Sequence, residues 1–147
     1  MGKLVDRVGV AMGLEFPAGK SMDELNKLYD GKINKTSISV KDGFFNLSGI
    51  ETKLVNQIKS QSYDKAEIST ILLDTITRTL GKSISQILKM NAELSKVLIV
   101  GGVASNTYLR DNLIKNINED CKLFFADKYL ATDNACGIAL LGKDKYK

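Results

Sequence analysis

The chain has 147 residues, 44% of them hydrophobic and 26% charged, with 21 Lys+Arg against 17 Asp+Glu and a formal net charge of +4. That length suits one domain with a real hydrophobic core, and the composition excludes the disordered, collagenous and Pro-rich classes. The absence of His, and two Cys (Cys121 and Cys136) that make no Cys-x-x-Cys pair, exclude a self-contained Ser-His-Asp triad, an imidazole metal site and a disulfide framework.

Taken in chain order, Leu4, Val5, Val8, Ala11 and Met12 fall at helical spacing between Lys3 and Leu14, and Gly13 ends that run. A turn over Glu15–Lys20 follows. Ser21 with Glu24 three residues on predicts a capping box and a short helix closed by Gly31. Thr36–Val40 alternates like a strand, and Asp42-Gly43 predicts a hairpin turn into Phe44–Ser48. Ile50, Leu54, Val55 and Ile58 mark a helix. Asp64 and Glu67 then cap the longest periodic run, which carries Ile68, Ile71, Leu72, Ile76, Leu80, Ile84, Ile87 and Leu88, with Gly81 a point that admits a break or a kink.

From Lys96 the pattern changes. Lys96–Val100 is a continuous β-branched run, which predicts a strand buried on both faces. Gly101-Gly102 turns into a helix bearing Leu109, Leu113 and Ile117. Leu123–Phe125 is a second strand, and Thr132-Asp133-Asn134 caps a last helix with Ile138 and Leu141. The fold class expected is α/β. It is organised as a mostly helical subdomain with a small hairpin over residues 15–92 and a strand-helix-strand-helix core over 93–142. No internal repeat or long linker interrupts it.

No apolar run is long enough to span a membrane, and the first residues lack the apolar core of a secretory signal, so a cytoplasmic protein is expected. The bases are scattered, and Arg7, Arg78 and Arg110 are the only arginines. Such a charge permits RNA as a partner without demanding it.

Four places carry candidate chemistry, of which Asn46-Leu47-Ser48-Gly49 reads most simply as a strand end with a bulge. In Gly101-Gly102-Val103-Ala104-Ser105-Asn106 the glycines let backbone approach a ligand, and Asn106 can offer its amide at a helix start; a tight turn with an ordinary N-cap explains the same residues. Asp133, at a strand-to-helix junction, is either one ligand of a divalent cation or simply a cap. Asp6 lies off the apolar helix face near the loop around Gly19, where a solvated carboxylate beside a turn is the plain alternative.

Their order along the chain carries more than any one of them. Gly2–Arg7, Gly13–Gly19, Phe45–Thr52, Gly101–Asn106 with Leu109-Arg110, and Thr132-Asp133-Asn134 with Gly137–Ala139 resemble the C-terminal half of the tRNA threonylcarbamoyladenosine synthase family. That family was long called O-sialoglycoprotein endopeptidase or glycoprotease. The similarity runs from Gly2 to Gly142. It implies the C-terminal lobe of the two-lobed actin-like, sugar-kinase-like (ribonuclease H-like) fold, with a nucleotide cleft between lobes. It also implies transfer of threonylcarbamoyl from its adenylate to N6 of the adenine beside the anticodon. The resemblance assigns Asp6, Gly19 and Asn106, beside the Gly101-Gly102 turn, to substrate or nucleotide, and Asp133 to an iron or zinc ion shared with two His of the N-terminal lobe. The expected partners are that lobe, tRNA and other threonylcarbamoylation proteins.

This sequence departs from the family at several points. The family's His-x-x-x-His pair and its phosphate loop lie before the matched region, so the chain is expected to be a fragment or a split or decayed gene product. Lys3 replaces a usual Glu, Ala18 a usual Gly, Lys20 a usual Pro and Glu51 a common Lys. These changes admit a catalytically decayed nucleotide- or protein-binding module as the alternative. The older peptidase reading finds no water-activating pair to support it.

Overall fold

The computed structural model describes residues 1–60, 63–117, 121–129, 131 and 135–145. Helices α1 (Gly2–Ala11), α2 (Gly19–Lys27), α3 (Ser48–Lys59), α4 (Lys65–Met90), α5 (Thr107–Asn116) and α6 (Ala135–Lys145) alternate with strands β1 (Val40–Lys41), β2 (Phe44–Phe45), β3 (Lys96–Ile99) and β4 (Lys122–Phe125). β1 and β2 form an antiparallel hairpin. β3 and β4 pair in parallel, with Lys96 opposite Lys122 and Ile99 opposite Phe125. The chain is therefore α/β and mostly helical.

One core joins α1 through α5. Leu4, Val5, Val8 and Met12 of the first helical run meet Met22, Ile50, Leu54, Ile68, Leu72, Ile76, Leu109 and Leu113. α4 packs against α2, α5 and the hairpin. It is buried on nearly every side through its middle, from Ile68 to Thr77. That burial takes in a row of hydroxyls that the sequence reads as polar. Thr70, Thr75, Thr77 and Thr79 each donate to the carbonyl one turn back, at 2.7 to 2.8 Å. The groups are satisfied within the helix and bring no unmet polar cost into the core. Asn26 Nδ2 donates to Thr70 Oγ1 at 3.0 Å, and Ser69 Oγ to the Met22 carbonyl, tying α2 to α4.

Several predicted boundaries move, each for a local reason. α2 opens at Gly19, with Ser21 inside the helix, so the expected capping box does not form; the helix ends at Lys27, before Gly31. Asp64 does cap α4, its Oδ1 accepting from Ala66 N–H at 2.7 Å. α4 runs unbroken through Gly81, which faces Leu113 of α5. The hairpin is shorter than predicted. Asp42 and Gly43 both take positive φ (52° and 81°), the requirement of a two-residue type I′ turn. α4 holds that turn through Gln86, which accepts from Gly43 N–H (2.9 Å) and donates to the Val40 carbonyl (3.0 Å).

The largest correction concerns β3, expected to be buried on both faces. Its side chains instead alternate: Ile99 packs on the core together with Leu123 and Phe125, while Leu98 (66% exposed) and Val100 (64%) face outward. A two-stranded sheet has one face on the core, and no described residue covers the other. Ile138 and Leu141 of α6 are also exposed. Cys121 is half-buried against the core and unpaired.

Candidate functional site

The predicted site residues fall on two helix starts and on the helix that precedes them. Asp6, on α1, is half-buried, and its Oδ1 accepts from Ala18 N–H at 2.9 Å. The expectation of a lone solvated carboxylate is therefore corrected: Asp6 closes the loop that delivers Gly19 to the start of α2. Ala18 is fully buried beside Gly9, whose missing side chain gives it room; a methyl at Gly9 would overlap the Ala18 Cβ. Gly19 has nothing within 4 Å of where a Cβ would stand, so the first turn of α2 is open on that side.

At the other helix start, Gly101 follows β3 with φ 102°, a backbone state suited to glycine, and Gly102–Ser105 form a short 3-10 helix. Asn106 then caps α5, its Oδ1 accepting from Leu109 N–H at 2.9 Å. Its Nδ2 donates to Asp23 Oδ1 at 2.9 Å. One amide hydrogen and one carbonyl lone pair remain for a ligand.

Asp23 is the residue that sequence reasoning missed. Its carboxylate takes Asn106 Nδ2, lies 3.4 Å from Thr107 Oγ1 and pairs with Lys27 at 3.2 Å. No local pattern marks it, because Asn106 stands 83 positions away. Asp23 lies one helical turn, about 6 Å along the axis, from Gly19, and so links the Asp6–Gly19 end to the Asn106 end.

Arg110 fixes the neighbouring strand exits. Its Nε donates to the Ala104 carbonyl and its Nη2 to the Ala126 carbonyl, both at 2.6 Å, with the guanidinium over the Phe125 ring. One fork thus joins the turn after β3 to the segment after β4.

Asp133 lies outside the described residues. Among those described, no three His, Cys, Asp or Glu side chains converge as a metal would need. No described helix is long and apolar enough to cross a membrane. A cavity of about 970 Å³ opens elsewhere, among α2, α4, α5 and the residue 29–38 loop, and Asp6, Gly19 and Asn106 do not line it. Within it Asp74 pairs with Arg78 at 2.7 Å. Burial first, and then the Asp74 charge, push the Tyr108 phenol above its usual value of 10.0.

The chain is thus an α/β protein in which the Asp23 carboxylate and the Asn106 amide meet where the parallel strand β3 gives way to α5, with Asp6 closing the loop before α2. A family model for TsaD, tRNA N6-adenosine threonylcarbamoyltransferase, matches residues 1–140. The chain belongs to that family, whose fold is of the actin-like, ribonuclease H-like kind. It is similar to the tRNA N6-adenosine threonylcarbamoyltransferase of Wolbachia pipientis wMel, at 30% identity over 99% of this chain and 46% of that protein. The proteins of the same name from Ligilactobacillus salivarius (30%; 99% of this chain, 45% of the relative) and Fusobacterium nucleatum (31%; 95% and 42%) are comparably similar. The chain thus spans less than half the length of these curated relatives.

Proposed function

We propose that this chain forms the C-terminal lobe of a tRNA threonylcarbamoyltransferase and supplies one wall of its acyl-adenylate site. Domain organisation follows the same reading: a helical subdomain over residues 15–92 carries one part of the wall, and the strand-helix core over 93–142 carries the other. Asp6, Gly19, Gly101, Gly102 and Asn106 contact the nucleotide or acyl group, with Asp23 setting the Asn106 amide. Asp133 is assigned as a single donor to an iron or zinc ion whose other ligands come from the N-terminal lobe.

In the reaction the N6 amine of adenine attacks the threonylcarbamoyl carbonyl carbon. The new N–C bond forms as the C–O bond to the adenylate phosphate breaks, AMP departs, and the amine loses one proton. This chain's contribution is orientation: an amide held from two sides at a helix start presents its remaining hydrogen in one direction.

The observation that carries the reading is the Asp23–Asn106 contact at the strand exits, in a chain whose family match covers residues 1–140. The companion lobe is supported by the exposed outer face of the β3–β4 sheet, Leu98, Val100 and Phe124, since parallel strands are ordinarily covered on both faces. The family departures fit this fold locally: Ala18 occupies the space Gly9 leaves, and Glu51 pairs with Arg7 at 3.1 Å.

The test is transfer of labelled threonylcarbamoyl to tRNA by this chain combined with an N-terminal lobe that is competent with its own partner. Turnover, lost in Asn106→Ala, is expected. No turnover from a stable pair would overturn the reading and leave a nucleotide- or protein-binding module.

A further inference from the structure

The residues assigned above face the acyl donor, and the RNA side of the reaction has none. The segment after β4 offers them. Ala126 N–H donates to the Ile99 carbonyl at 3.1 Å, and Arg110 holds the Ala126 carbonyl, so this segment is tied to the end of β3. Asp127 Oδ1 then accepts from Tyr129 N–H at 2.9 Å. Lys128 Nζ lies 3.3 Å from Thr107 Oγ1, the hydroxyl that reaches Asp23 beside Asn106.

Two properties single out this pair of side chains. Lys27, the other ammonium at the cluster, is committed to Asp23 as an ion pair. Lys128 has only a neutral hydroxyl as its partner among the described residues, so its charge is available to an anion. Next to it, Tyr129 is 92% exposed, and its ring packs on none of the core residues. An exposed aromatic ring beside a lysine, next to the polar Thr107–Asp23–Asn106 cluster, matches a single-stranded nucleotide: the ring offers a stacking face and the ammonium meets a phosphate.

We propose that Lys128 and Tyr129 form the RNA-facing rim of the site, the Tyr129 ring stacking on an unpaired base and Lys128 pairing with the adjoining phosphate. This rests on the transferase reading, in which the acceptor adenine lies in an RNA loop. Stacking tolerates any base, so the rim orients the loop without reading its sequence.

The experiment titrates the 147-residue chain with a fluorescein-labelled RNA stem-loop and, separately, with a blunt RNA duplex, followed by anisotropy. The chain is expected to prefer the stem-loop. Tyr129→Ala should weaken stem-loop binding about tenfold while Tyr129→Phe keeps it. Lys128→Ala should lower the slope of log affinity against log salt by about 1. Both side chains are exposed, so the variants keep the fold. Unchanged stem-loop binding in Tyr129→Ala, an equal loss on the duplex, or no preference for the stem-loop in the unmodified chain each overturns the proposal. The transferase reading is judged separately by product formation and its loss in Asn106→Ala, so the two failures are distinguishable.

Discussion

The helical core around α4 and the two-stranded sheet that follows it are made of similar residues and treated very differently. α4 buries Ile68, Leu72 and Ile76 completely, and Thr70, Thr75, Thr77 and Thr79 close on its own carbonyls. β3 and β4, built from Val, Leu, Ile and Phe, bury one face and leave Leu98 and Phe124 in the open. Hydrophobic content alone therefore does not tell what is covered. The number of neighbours a segment has within the chain decides it.

The contrast is broken or sharpened most strongly by comparing two leucines. Leu72→Ala should cost about 2–5 kcal/mol by transfer and cavity terms, and Leu98→Ala no more than about 0.5 kcal/mol, both read from urea denaturation of the chain. A comparable loss in both would erase the distinction. Next in size is Gly9→Ala, which forces its new methyl against Ala18 and should cost about 1–3 kcal/mol. Ala18→Gly in the same chain should recover most of that loss, and additivity of the two changes would show that they do not touch.

The smallest effect is a pH dependence within the helical region. The folded chain holds the Tyr108 proton above pH 10.0, where an unfolded tyrosine releases it. The folded state then binds more protons than the unfolded one, so stability is intact below that pH and falls as pH rises past it. Tyr108→Phe should flatten the decline in Tm on the alkaline side. Parallel Tm curves for the two proteins would remove Tyr108 from the account.

The sequence made most helices, both strand pairs and the hairpin turn legible, because periodicity and turn chemistry are local. Asp42-Gly43 and Asp64 act as their residue types predict. Two kinds of information were not local. Ser21 and Glu24 look like a cap, yet the loop before α2 is set by Asp6, twelve positions before Ala18, and this displaces the helix start. Within the site, Asn106 was legible as a helix start, whereas Asp23 was invisible until the two helices were brought together. Asp6 gained its meaning only when the loop closed on it.

Arg110 carries a consequence for how such a strand pair drifts. It reaches two carbonyls from separate strand exits. A lysine there would keep the charge but has no fork with which to grip both. The alignment of the two strand exits is thereby delegated to one side chain, and drift at that position would loosen the ends of β3 and β4 while Asp6, Gly19 and Asn106 kept their own contacts.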